Sequence, residues 1–121
     1  MAEPEWDPYD RNCPTRRMLD RIGDRWTVLV VGALAAGPLR YSELRKRIDG
    51  VSQKMLTQTL RGLERDGLVL RTMTPQIPPR VDDELTEAGQ SLRAPLKALE
   101  DWAIDHMAAI IEARDAYDEA P

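Results

Sequence analysis

Lys54, Thr57, Gln58 and Arg61 recur at steps of three and four along one stretch of the chain, and each carries a hydrogen-bonding side chain. On a helix that spacing gathers them into a single stripe. Amide, hydroxyl, ammonium and guanidinium groups in such a stripe are the chemistry that reads base edges in a major groove. The alternative is an ordinary amphipathic surface helix whose polar face meets only water. A second chemical candidate is Cys13, which is followed by Pro14 and, within a turn, by Arg16 and Arg17. A thiolate at a helix N-terminus is favoured by the dipole and by nearby cations, which raises its reactivity toward oxidants and electrophiles. The competing reading is a small buried hydrophobe, a common fate for a lone Cys. One Cys excludes an intrachain disulfide, and with one His it excludes a Cys/His zinc cluster, so neither metal nor cofactor is expected. There is no His paired with carboxylates, no nucleophile with an evident base and no phosphate loop, so an enzyme is not expected either.

The elements that must position the stripe follow from caps and periodicity. Ser52 is a good N-cap and Gly67 a left-handed stop, which bounds a helix over residues 52–67 with Leu56, Leu60 and Leu63 on its inner face. Before it, Ser42 is expected to cap a short helix over residues 42–48, with Leu44 and Ile48 inward and Arg45, Lys46 and Arg47 outward. A short helix, a turn through Asp49, Gly50 and Val51, then a longer polar-faced helix is a helix-turn-helix. Upstream, Pro14 opens a helix with Met18, Leu19 and Ile22 on one face and Gly23 at its end. Residues 24–36 are apolar nearly all round, so Trp26, Leu29, Val30 and Leu34 should be core until Gly37 and Pro38 stop the helix. Residues 39–41 suit a short edge strand.

After Gly67 the period changes to two. Residues 68–73 and 81–85 read as strands around a Pro-rich loop, residues 74–80, which together make a wing. Arg71 and Arg80 are then placed to meet phosphate or a minor groove, or else are simply solvated. Thr86 caps the last helix, in which Leu92, Leu96, Leu99, Ala103, His106 and Ile110 approximate a heptad seam with Trp102 beside it. Pro95 should kink or split that helix, leaving residues 86–94 as a separate piece. The seam is longer than the core of one small domain needs, and a partner subunit could cover it.

Charge is segregated along the chain. The net charge of -4 divides into -3 over residues 1–12, +7 over residues 13–81 and -8 over residues 82–121. A basic centre between acidic ends suits phosphate binding with a fixed orientation, although a run of charge can also be solvated surface. At 121 residues, 42% hydrophobic and 31% charged, the chain is expected to be one soluble cytoplasmic domain. Its longest apolar run is too short to span a bilayer, and the acidic N-terminus lacks the features of a signal peptide. Residues 1–12 read as an extended or disordered arm in which Trp6 and Tyr9 could anchor on a neighbouring surface.

The segments CPTRRMLDRIGDRWTVLVVGAL, GPLRYSELRKRIDGVSQKMLTQTLRGLERDGLVLR and PPRVDDELTEAGQSL resemble the HxlR-type family of winged helix-turn-helix transcriptional regulators, related in fold to MarR regulators. The resemblance covers roughly residues 13–106 in order. It includes Cys13-Pro14, Gly23 three residues before Trp26, Arg40-Tyr41 before Glu43-Leu44, the run from Val51 to Thr57, Asp66-Gly67-Leu68, and Pro78-Pro79 before Val81. What it implies is a mainly α winged helix-turn-helix with a small β-hairpin wing, dimerising through N- and C-terminal helices and binding a pseudo-palindromic operator, more often as a repressor. By position, the DNA-facing residues would be Ser52, Gln53, Lys54, Thr57, Gln58 and Arg61, with Arg40, Tyr41, Gln76, Pro79 and Arg80. Cys13 would be a redox or electrophile sensor, and Leu92, Leu96, Leu99, Trp102, Ala103, His106 and Ile110 the dimer seam. The domain would run over residues 13–110, between the arm and an acidic tail at residues 111–121. Double-stranded DNA and a second copy are the implied partners, with no membrane. A winged-helix protein-interaction module without an operator is the alternative. One departure stands out. Where the family has Val-Glu-Tyr-x-Leu, this chain has Val81-Asp82-Asp83-Glu84-Leu85, and strand alternation turns the Asp83 carboxylate inward, where it needs an Arg or a shorter, more exposed strand.

Overall fold

Pro14, at the first helical position where a missing amide costs nothing, opens α1 (Pro14–Gly23). The computed structural model describes residues 5–121. The arm expected over residues 1–12 therefore lies partly outside the described residues. Its remainder is folded into turns rather than extended, because the Asp7 and Asp10 carboxylates accept the amides of Tyr9 and Asn12 at 3.0 and 2.9 Å. Trp6 and Tyr9 are exposed.

Asp24 caps α2 (Arg25–Ala33), its carboxylate accepting the Trp26 amide at 2.7 Å, and a 3-10 turn (Leu34–Ala36) leads to Gly37 at φ 147°. Val30 and Leu34 are fully buried, as their pattern requires, and Trp26 is half-buried. Leu29 departs from expectation and stands 42% exposed, while Thr27 and Val31 take the inner positions. An all-apolar helix does not reveal which of its sides the domain covers. β1 (Leu39–Arg40) is followed at once by α3 (Tyr41–Arg47). This helix begins two residues earlier than a Ser42 cap would place it. Arg40 is the N-cap, and Glu43 reaches back to accept its amide at 2.9 Å, which settles the first turn without Ser42.

Gly50, at φ 83°, turns the chain into α4 (Gln53–Arg65). Ser52 caps it as expected, its Oγ accepting the Met55 amide at 3.1 Å, and Val51 and Leu56 are buried on either side of that cap. Leu56, Thr59, Leu60 and Leu63 form its buried face on α2 and the first strand of the wing. After Gly67, at φ 75°, come β2 (Val69–Thr74) and β3 (Arg80–Leu85). The sheet order is β1-β3-β2 with both pairings antiparallel, so β3 is central.

That position decides the fate of Asp83. It has no solvent exposure, and it lies directly across from Leu39 on one side and Arg71 on the other. Arg71 completes a fork on its carboxylate, with Nε to Oδ1 at 3.0 Å and a terminal nitrogen to Oδ2 at 3.5 Å. The inward carboxylate thus found its Arg. Arg71, in turn, is committed to the sheet and is not presented to a duplex.

Thr86 then caps α5 (Glu87–Glu119): its Oγ1 accepts the Gly89 amide at 3.2 Å and donates to the Gly67 carbonyl at 2.6 Å. A methyl group at Gly89 would strike the Leu68 carbonyl, so glycine is what lets α5 start this close to the sheet. Pro95 does not split the helix, which runs unbroken through the 110/111 boundary to Glu119. Pro95 is exposed, so the carbonyl its ring leaves unpaired is open to water. Among the described residues no helix is long and apolar enough to cross a membrane.

Replacing Arg71 with Met would leave the Asp83 carboxylate buried without its cation. Because the Arg71 side chain is itself 27% exposed, the expected loss in urea unfolding is about 2–4 kcal/mol, below the full range for an interior pair. Arg71→Met combined with Asp83→Leu is expected to regain most of it.

Candidate nucleic-acid interface

With its leucine face sealed against the core, α4 can present only the opposite face. Gln53, Lys54, Gln58 and Arg61 lie there, all exposed and none hydrogen-bonded through its side chain to another described residue. Their donors and acceptors are free for an outside partner, and Gln53 and Lys54 occupy the first turn, where amides also point outward.

Three of the residues grouped with them do a different job. Tyr41 is half-buried, and its hydroxyl lies 3.1 Å from the Gln53 carbonyl, to which it donates, and 3.2 Å from the Thr57 hydroxyl. Tyr41 and Thr57 therefore spend their hydroxyls on each other and on the backbone, pinning α3 to the first turns of α4. The Ser52 oxygen is likewise occupied by the cap, though Ser52 remains exposed. These three fix where α4 sits, while Arg40 stays exposed at the start of α3.

At the wing, Gln76 and Pro79 are exposed at the loop between β2 and β3. Arg80 also faces solvent, but it is drawn onto Asp82 at 3.0 Å, which offsets part of the charge it could offer a phosphate. Ile77 is fully exposed beside them, and nothing in the strand pattern marked it.

Two basic residues of α1 join this surface from the side. Arg17 and Arg21 line a crevice of about 320 Å³ together with Gln58 and Thr59 of α4. Arg21 crosses to Asp66 at 3.0 Å, and its guanidinium fills the space that a side chain at Gly62 would need. The i, i+4 spacing of Arg17 and Arg21 signals one face, but which helix that face meets is a tertiary fact.

Cys13 is the N-cap of α1 and is buried at 7% exposure. Arg16 does not turn toward the thiol; its guanidinium donates to the carbonyls of Pro8 and Tyr9 at 3.2 and 3.5 Å. Arg16 is thus not one of the two guanidinium groups expected beside the thiol.

The seam of α5 divides into two parts. Leu96 is buried and Leu92 half-buried in this chain's own core, so they are not free for a partner. Beyond them Leu99 and Trp102 are exposed, Ala103 and Ile110 are half-buried, and Ile104, Met107 and Ile111 extend the uncovered apolar surface past the expected seam. His106 stacks on Trp102 with ring centroids 4.3 Å apart, and its Nδ1 lies 2.8 Å from the Trp102 carbonyl.

A family model described as HxlR-like helix-turn-helix matches residues 21–110. The HTH-type transcriptional regulator YtfH of Escherichia coli is 39% identical over 111 residues, which is 92% of this chain and 88% of YtfH. A solved structure of the transcriptional regulator ytfH from Salmonella typhimurium superposes with a TM-score of 0.87 at 37% identity, over 92% of this chain and 99% of that one. The redox regulator HypR in its oxidized form superposes with a TM-score of 0.70 at 35% identity, over 77% of this chain and 96% of HypR.

Removing only the oxygen of Tyr41 tests its role as a pin. Tyr41→Phe is expected to cost about 0.5–1.5 kcal/mol in thermal or urea unfolding, with the helical far-UV signal of the folded state retained.

Proposed function

This chain belongs to the HxlR-like helix-turn-helix family of transcriptional regulators, which are not enzymes, and from that premise we propose that it is a homodimeric repressor that binds a pseudo-palindromic operator in double-stranded DNA. The observation that carries the proposal is the outer face of α4, where Gln53, Lys54, Gln58 and Arg61 stand exposed and, among the described residues, unpaired on a helix whose other face is locked in the core. Gln58 suits an adenine edge and Arg61 a guanine edge in the major groove. Ser52, Tyr41 and Thr57 hold the helix at its angle, and Ser52 and Arg40 remain exposed beside the phosphate backbone. Gln76, Pro79 and Arg80 of the wing reach the flanking minor groove. Two copies joined along Leu99, Trp102, Ala103, His106 and Ile110 of α5 set the two helices about one turn of DNA apart, roughly 34 Å. A dimer seated over a promoter blocks polymerase, and repression follows.

Within that reading Cys13 is a redox or electrophile sensor. Its support is position: Cys13 occupies the N-cap of α1, whose Arg21 reaches Asp66 at the end of α4, and the chain's fold is shared with a redox regulator. The thiol is buried, so modification must first expose it, and the rearrangement this requires is the route by which α1 shifts against α4.

Nuclease footprinting of the DNA upstream of the gene tests the first proposal. Two protected half-sites are expected, with affinity falling steeply as salt rises because phosphate contacts release counterions. Arg61→Ala should weaken binding by about 1–3 kcal/mol while leaving unfolding unchanged within about 0.5 kcal/mol. Protection of nothing favours an interaction module instead. For the sensor, diamide should release the wild-type protein from DNA and leave Cys13→Ser bound; equal release of both would remove Cys13 from the mechanism.

A further inference from the structure

Between β2 and β3 the wing turns through residues 75–79, Pro-Gln-Ile-Pro-Pro, all of them exposed. Pro75, Pro78 and Pro79 carry no amide N–H. The tip therefore retains the amides of Gln76 and Ile77 and a single polar side chain, that of Gln76. A hairpin tip ordinarily offers amides and short polar side chains to phosphates and base edges, and this one has lost most of that capacity. Its central residue is Ile77, which is fully exposed. A solitary apolar side chain in water is unremarked on most proteins. At the centre of a loop with so few hydrogen-bonding groups it is the main chemistry the loop has to present.

A second, separate observation concerns charge. The narrow, negative minor groove is commonly read by free cations, yet both arginines of the wing are held by carboxylates of β3. Arg71 reaches Asp83 at 3.0 Å and Arg80 reaches Asp82 at 3.0 Å. With Glu84 added, residues 69–85 carry three acids against those two bases. The wing is thus poor in unspent positive charge and carries its apolar side chain at the tip.

The floor of a minor groove gives such a side chain one distinction to make. A·T and T·A pairs show only acceptors there, whereas G·C adds the guanine 2-amino group as a donor. Isoleucine has no acceptor. Over A·T it fills the groove; over G·C it meets the amino group and strips its water without replacing the hydrogen bond, which leaves a donor unsatisfied. We propose that Ile77 is a specificity-determining residue that admits A·T and excludes G·C where the wing enters the flanking minor groove. This rests on the operator reading above and adds to it base selection by an apolar side chain outside the α4 half-sites. The prolines on either side fix the backbone φ angles of the tip, so little conformational freedom is lost when it docks.

Hydroxyl-radical footprinting of the full chain on its upstream DNA locates the base pairs beneath the wing. Fluorescence anisotropy then compares duplexes that carry A·T, G·C or inosine·C at those pairs, since inosine·C keeps the major-groove acceptors of G·C but lacks the 2-amino group. The wild type is expected to bind G·C flanks about tenfold more weakly than A·T flanks, with inosine·C within about threefold of A·T. Ile77→Asn, whose amide oxygen can accept from guanine, should bring G·C to within about threefold of A·T, and Ile77→Val should keep the wild-type preference. Because Ile77 makes no phosphate contact, Ile77→Asn should leave the slope of log Kd against log salt unchanged. Equal wild-type binding to A·T and G·C, inosine·C as weak as G·C, an undiminished preference in Ile77→Asn, or a changed salt slope each overturns the proposal. A chain that protects two half-sites but ignores the flanking pairs loses only the role of Ile77. One that protects nothing loses the operator, and this role with it.

Discussion

A carboxylate without solvent exposure sits in the central strand of a three-stranded sheet, and the fork from Arg71 onto Asp83 is what makes that arrangement tenable. Because strands alternate faces, a slip of one residue between β2 and β3 would turn Asp83 outward and carry Leu85 out of the core with it. The pair therefore does more than satisfy a buried charge: it allows only one register. Downstream consequences follow within three residues. Leu85 closes the core, and Thr86 accepts the first free amide of α5 while donating to the carbonyl of Gly67, where α4 has just ended. α4 and the long C-terminal helix are thus tied at one point whose position the wing register sets.

That dependence also explains what a local reading of the chain could and could not see. Caps, stops and the leucine stripe of α4 are encoded within a dozen residues, so Ser52, Gly67, Leu56, Leu60 and Leu63 were legible, as were both wing strands and Thr86. Asp83 was legible as a difficulty, since alternation alone turns it inward. Its solution was not, because Arg71 lies twelve residues away across a hairpin, and the same side chain looked equally suited to a phosphate. Leu29 and Leu96 illustrate the same limit in opposite directions. One belonged to a helix apolar on all sides yet faces outward, and the other belonged to an apparent intermolecular seam yet packs at home. Periodicity identifies a face that must be covered, but the covering element is a property of the assembled fold.

Polar residues carried a similar ambiguity. Tyr41, Thr57 and Arg61 look alike as hydrogen-bonding candidates on paper. In the fold the first two close on each other and only Arg61 remains open, so the stripe separates into side chains that aim the helix and side chains that face outward. The acids redistribute in the same way. Asp82 and Asp83 are spent on Arg80 and Arg71, which leaves the unpaired negative charge of the C-terminal segment chiefly along α5.

Among the described residues, the 33-residue α5 joins the core through Leu92 and Leu96, in its first three turns. At about 1.5 Å per residue it is a rod of roughly 50 Å, of which about 30 Å projects beyond Leu99. Such a rod is a lever, and a tilt of about 5° at its base carries the far end through about 4 Å. A break at Pro95 would have decoupled the tip from the base, whereas an unbroken backbone carries any angular change at either end to the other with little loss.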